Sequence, residues 1–123
     1  MSLTDPIDLF LTGGTVHQLY NTISSDGMST LRRAAGRELH LPRTLFIGHQ
    51  VVKKTGRTDS VVKFATTEIA PDDVTLGNLV AQLTIRRDVN AAITAATFTE
   101  MWYQITQIMA LSGFAAAIQD LQS

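Results

Sequence analysis

Apolar and polar residues alternate through most of the first ninety or so positions, and the period changes only near the C-terminal end. In "LVAQLTIRRDV", Leu79, Ala81, Leu83 and Ile85 share one parity, whereas Asn78, Val80, Gln82, Thr84 and Arg86 share the other. A strand there turns one face to a core and leaves the other mostly polar. "RTLFIGHQVVKKTGRTDSVVKFATTEI" holds two runs rich in Val, Ile, Phe and Thr around the polar "KKTGRTD", a strong hairpin signal. "IDLFLTGGTVHQLYNTI" predicts an earlier hairpin with its turn at Gly13-Gly14. "SSDG" predicts another turn and "MSTLRRA" a short strand, while "APDD" breaks the pattern before the long strand.

After Ala96 the spacing becomes helical. Thr97-Phe98-Thr99-Glu100 fits a capping box, and Phe98, Met101, Trp102, Ile105, Ile108 and Met109 form one apolar stripe. Gly113 ends or bends this helix, and Phe114, Ile118 and Leu121 begin a second, weaker stripe. Strands first and helices last predict an α+β chain: an N-terminal β-hairpin, an antiparallel sheet of about five strands and two C-terminal α-helices. With 123 residues, 45% of them hydrophobic, and no linker or repeat, residues 1–123 are expected to form one domain.

The formal charge of -1 conceals an asymmetry: every Lys and Arg lies between Arg32 and Arg87. From Asp88 onward no cation occurs, and the acids are Asp88, Glu100 and Asp120. So apolar a tail suits contact with a second copy, with a buried monomeric helix pair as the alternative; two sheets meeting edge to edge would also protect an exposed strand. Absence of cysteine excludes disulfides and thiolate chemistry. The first residues do not resemble a secretory signal, and "IMALSGFAAAI" is short for a bilayer crossing, so a cytoplasmic soluble protein without a membrane partner is the expectation.

If the two central strands pair beside the long strand, several of Arg43, Lys53, Lys54, Arg57, Lys63, Arg86 and Arg87 share a surface suited to phosphate. His49, Gln82 and Thr84 add hydrogen-bonding groups for unpaired RNA. From composition alone, such a charge run ordinarily marks a solvated face. His17, His40 and His49 lack metal-ligand spacing, and Asp72-Asp73 after a proline reads as a turn before it reads as a calcium site. No metal, cofactor or catalytic constellation is expected.

This order of features, with "ISSDG" after the hairpin and "LTIRRDV" closing the long strand, resembles the coat proteins of single-stranded RNA bacteriophages, the leviviruses. The resemblance spans nearly the whole chain. It implies an interlocked homodimer whose shared sheet faces the genome inside an icosahedral shell, T=3 in type, assembled in the bacterial cytoplasm. It further implies a grip on an RNA hairpin that represses translation. Carried over by position, the RNA contacts are Lys63, Asn78, Gln82, Thr84 and Arg86, with His49 and Lys53 added, although "TLFIGHQVV" permits either strand parity. Val80 departs from the polar residue expected there, and Leu45 and Ile47 are candidates for the same face. Arg87, of opposite parity to Arg86, is expected to bond carboxylates or carbonyls near the helical layer or a subunit contact. The stripe from Phe98 to Met109 would form the dimer and core helix. The rival reading is a small dimeric α+β ligand-binding module or enzyme with a pocket between sheet and helices.

Overall fold

A computed structural model describes residues 5–11 and 17–120 of the chain. Six strands follow one another: β1 (Ile7–Phe10), β2 (His17–Ser25), β3 (Ser29–Ala34), β4 (Arg43–Val52), β5 (Arg57–Ile69) and β6 (Leu76–Asp88). Two helices come after them, α1 (Ala95–Met109) and α2 (Phe114–Gln119). The strands form one sheet in sequence order, a meander. The expected α+β layout holds, with six strands where about five were expected. The N-terminal hairpin belongs to this sheet, because β2 pairs onward with β3 and continues the same ladder. Its expected turn at Gly13-Gly14 lies outside the described residues.

Local chemistry explains the turns. Between β2 and β3, Asp26 Oδ1 accepts from the Met28 and Ser29 amides, and Gly27 takes φ 88°, which a side chain would disfavour. Between β5 and β6, Asp72 does the same for Val74 and Thr75, while the Ala70 amide donates to the Thr75 carbonyl. The β4–β5 turn is only residues 53–56, so Arg57, Thr58 and Asp59, read from the sequence as turn, belong to β5.

The chain divides into two compact units, one up to Arg87 and the other from Asp88. In the first, a small core of Tyr20, Ala34 and Leu45 gathers Ile7, Ile47 and Val62. Register explains the grouping: Tyr20 lies opposite both Ile7 and Ala34, and Ile47 opposite Val62, so all project from one face. The Tyr20 and Phe64 rings meet edge to face at 6.1 Å on that side. Burial raises the Tyr20 hydroxyl pKa, against the pull of Arg43 and Arg37.

The second unit corrects one expectation. The N-cap of α1 is Thr94, not Thr97: the Thr94 hydroxyl accepts from the Thr97 amide at 3.2 Å. Ala95 and Ala96, strong helix formers, extend the helix N-terminally and place Thr97 inside its first turn. Phe98 and Trp102 stack at 6.4 Å. Phe98 and Ile105 are half-buried, whereas Met101, Trp102, Ile108 and Met109 are exposed. Gly113, at φ 82°, caps α2. Leu121 lies outside the described residues.

Candidate nucleic-acid interface

Alternation assigns every strand residue to one of two faces, and pairing carries the assignment across the sheet. In β4 and β5, Phe46 lies opposite Lys63, Gly48 opposite Val61, Gln50 opposite Asp59 and Val52 opposite Arg57. Two side-chain contacts cross to β6: Arg86 reaches Asp59 at 3.3 Å, and Thr67 donates to Asn78 at 2.7 Å. Asp59 and Thr67 are eight residues apart on β5, as Asn78 and Arg86 are on β6, in opposite directions. Asn78, Val80, Gln82, Thr84 and Arg86 therefore share the face of Asp59, Val61 and Lys63, opposite the Tyr20 core.

Five expected site residues, Lys63, Asn78, Gln82, Thr84 and Arg86, are thus brought to one surface. Gln82 Nε2 donates to Thr84 Oγ1 at 3.0 Å, so the two are already ordered as a pair. His49 borders the same depression as Gln82, Thr84 and Arg86, yet its side chain has the opposite parity. It stands opposite Ser60 in the β4–β5 register, on the core-side face, with Nδ1 2.8 Å from Ser60 Oγ. Lys53 lies in the β4–β5 turn, at the end of the sheet.

Parity within β4 is now fixed. Leu45 and Ile47, candidates for the polar face, belong instead to the core side, where Leu45 is 2% exposed. Phe46 takes the polar face, and its ring covers Gly48 so closely that a Cβ there would come within 2.7 Å of Cε1 and Cζ. The empty glycine position is what lets an aromatic ring lie along the sheet.

Between β3, β4, β5 and β6 this face sinks into an open depression of about 490 Å³, bordered by Ser29, Phe46, Gln50, Asp59, Gln82 and Arg86 among others. Phe46, Gln50 and Asp59 are not expected at the site from the sequence, whereas Arg57 is among the expected cations. Asp59 is hidden in a segment that reads as turn, and Gln50 and Phe46 by the open parity of β4. The Asp59 side chain is 14% exposed, and Oδ1 lies 3.2 Å from Arg57 Nε as well as near Arg86 Nε.

The Asp72 carboxylate is committed to its turn. Its two oxygens accept from the Thr75 hydroxyl and the Thr75 and Val74 amides, which lowers its pKa to about 2. Among the described residues no group of three or more His, Asp or Glu side chains is placed to hold a metal ion, and no helix is long and apolar enough to cross a membrane.

No protein-family model matches the chain, and no curated protein matches it. Solved structures do. The virus-like particle of Beihai levi-like virus 21 superposes with a TM-score of 0.76 at 10% identity, covering 98% of each chain. The protein capsid of bacteriophage GA gives 0.69 at 10% identity over 97% of this chain and 95% of its own. An unassembled bacteriophage coat protein dimer, described as RNA-binding, gives 0.60 at 13% identity over 97% and 95%. The chain has the levivirus coat-protein fold over nearly its full length.

Proposed function

We propose that this chain is the coat protein of a single-stranded RNA bacteriophage: it pairs with a second copy, closes into an icosahedral shell and lines that shell with the Lys63–Arg86 face of its sheet. The observation that carries the reading is the likeness to virus-like particle subunits over 98% of both chains, joined to a polar face that gathers the expected cations and amides. It is a structural role without catalysis.

Unsatisfied apolar surface supports a homodimer. In β6, the last strand of the sheet, Leu79 is 67% and Val80 57% exposed, and four of the six stripe residues of α1 are exposed. With three buried hydrophobic residues among those described, the chain leaves much apolar surface for a partner to cover. The shell is of the T=3 kind, assembled in the bacterial cytoplasm and carried as the virion capsid. Single-stranded RNA is the cargo: Lys63 meets phosphate, while Asn78, Gln82 and Thr84, with Arg86 beside Asp59, face bases and ribose. The same face holds an RNA hairpin as translational repressor. Lys53, at the sheet end, extends the phosphate track, and His49 joins the RNA contact where it borders the depression.

The test is purification from a bacterial expression host followed by size exclusion with nuclease treatment. The coat-protein reading predicts a very large species that absorbs as nucleic acid and keeps its RNA through nuclease. A nucleic-acid-free monomer or dimer as the sole product would refute it.

A further inference from the structure

Asp59 stands where a phosphate-binding face would be expected to carry no acid. Its Oδ1 has two guanidinium nitrogens within 3.3 Å, from Arg57 and Arg86. Neither contact has hydrogen-bond geometry: Asp59 Oδ1 and Arg57 Nε are buried without a hydrogen-bond partner among the described residues. The attraction is Coulombic, and Oδ1 remains a buried acceptor that lacks a donor.

We propose that Asp59 is a specificity-determining residue of the nucleic-acid face. It withholds Arg57 and Arg86 from phosphate and reserves the centre of the depression for a donor, a base N–H or a ribose hydroxyl. The inference rests on the RNA-facing reading above.

The charged residues bordering the depression are Asp26, Asp59 and Arg86, two acids and one cation. Asp26 is occupied by its turn, bonded to Ser29 and Met28, so Asp59 is the bordering acid that no turn engages. A phosphate offers acceptors alone and is repelled by this carboxylate. A base or ribose edge with a donor meets the exposed part of the carboxylate without that repulsion and leaves the arginines their partner. Lys63, Lys53 and Lys54 lie outside the lining, so the sugar-phosphate backbone is favoured around the depression and not across it.

The experiment compares the full-length chain, freed of nucleic acid, with Asp59→Asn and Asp59→Ser. Binding to inorganic polyphosphate, which has no donors of this kind, and to single-stranded RNA is measured over a salt series. Each cation newly engaged by phosphate steepens the logarithmic salt slope by about 0.7, or about fivefold in affinity near 0.1 M salt. Both variants are expected to gain that much for polyphosphate and less for RNA, so the preference for RNA falls. Thermal melts confirm that each variant is folded; two variants of different size separate the charge effect from packing. If wild type binds RNA but neither variant gains polyphosphate affinity, Asp59 merely positions the arginines and the inference fails. Wild type that binds no RNA would remove the underlying reading instead.

Discussion

Arg43 Nη2 donates to Glu68 Oε1 over 2.8 Å, tying the start of β4 to the end of β5, and Arg37 donates to the same oxygen over 2.9 Å from the β3–β4 loop. Arg37 also holds the Leu41 and Thr67 carbonyls, so one guanidinium fastens the loop to the sheet. The Thr66 hydroxyl bond, then Arg43 and Arg37, lower the Glu68 pKa from 4.5 to about 2. A carboxyl depressed on folding stabilises the native state above its unfolded pKa, and that contribution is lost as pH falls through about 4.5 toward 2. Urea midpoints should therefore decline across that window. Glu68→Gln should flatten the decline and lower Tm at pH 7 by no more than about 5 °C, because the carboxylate is half exposed and screened. A decline unchanged in the variant would assign acid sensitivity to other groups.

Thr94→Ala should cost about 1 kcal/mol of the second unit's stability and reduce its helical circular dichroism, through loss of the hydroxyl that caps α1. Thr97→Ala should cost less, since its side chain faces Thr94 from within the first turn. The reverse order would return the cap to the capping-box position.

Gly48→Ala should destabilise the sheet by about 1–3 kcal/mol in chemical denaturation, since the new methyl group meets the Phe46 ring. Shortening the ring in Phe46→Leu should relieve much of that cost in the double variant, giving a coupling energy well above the error of a cycle. Additive losses would mean that the ring is not held over the glycine.

These residues also mark how far the sequence could be read. Strands with clean alternation, such as β6, and turns built on Asp and Gly were legible, because a period of two and a local hydrogen bond are written in adjacent residues. The parity of β4 was not, since Leu45, Phe46 and Ile47 are consecutively apolar. Only the partner strands decide that Leu45 and Ile47 join Tyr20 while Phe46 lies over Gly48. The strand position of Asp59 is hidden for a related reason: a polar run reads as turn until pairing with Gln50 shows it to be strand. Lys63, Asn78, Gln82, Thr84 and Arg86 share a face as their parity required, whereas His49, carried over by position with either parity open, takes the core-side parity while bordering the same depression.

Lys63→Gln should lower RNA affinity and reduce the logarithmic salt slope by about 0.7 for the phosphate it no longer meets, with particles still forming. An unchanged slope would move that residue off the RNA path.

Cryo-electron microscopy of particles made by the full-length chain tests the central claim most directly. The account predicts closed icosahedral shells in which the sheet face bearing Lys63, Gln82, Thr84 and Arg86 lies against internal nucleic-acid density. Shells with that face turned outward, or a field of small separate molecules with no shells, would contradict it.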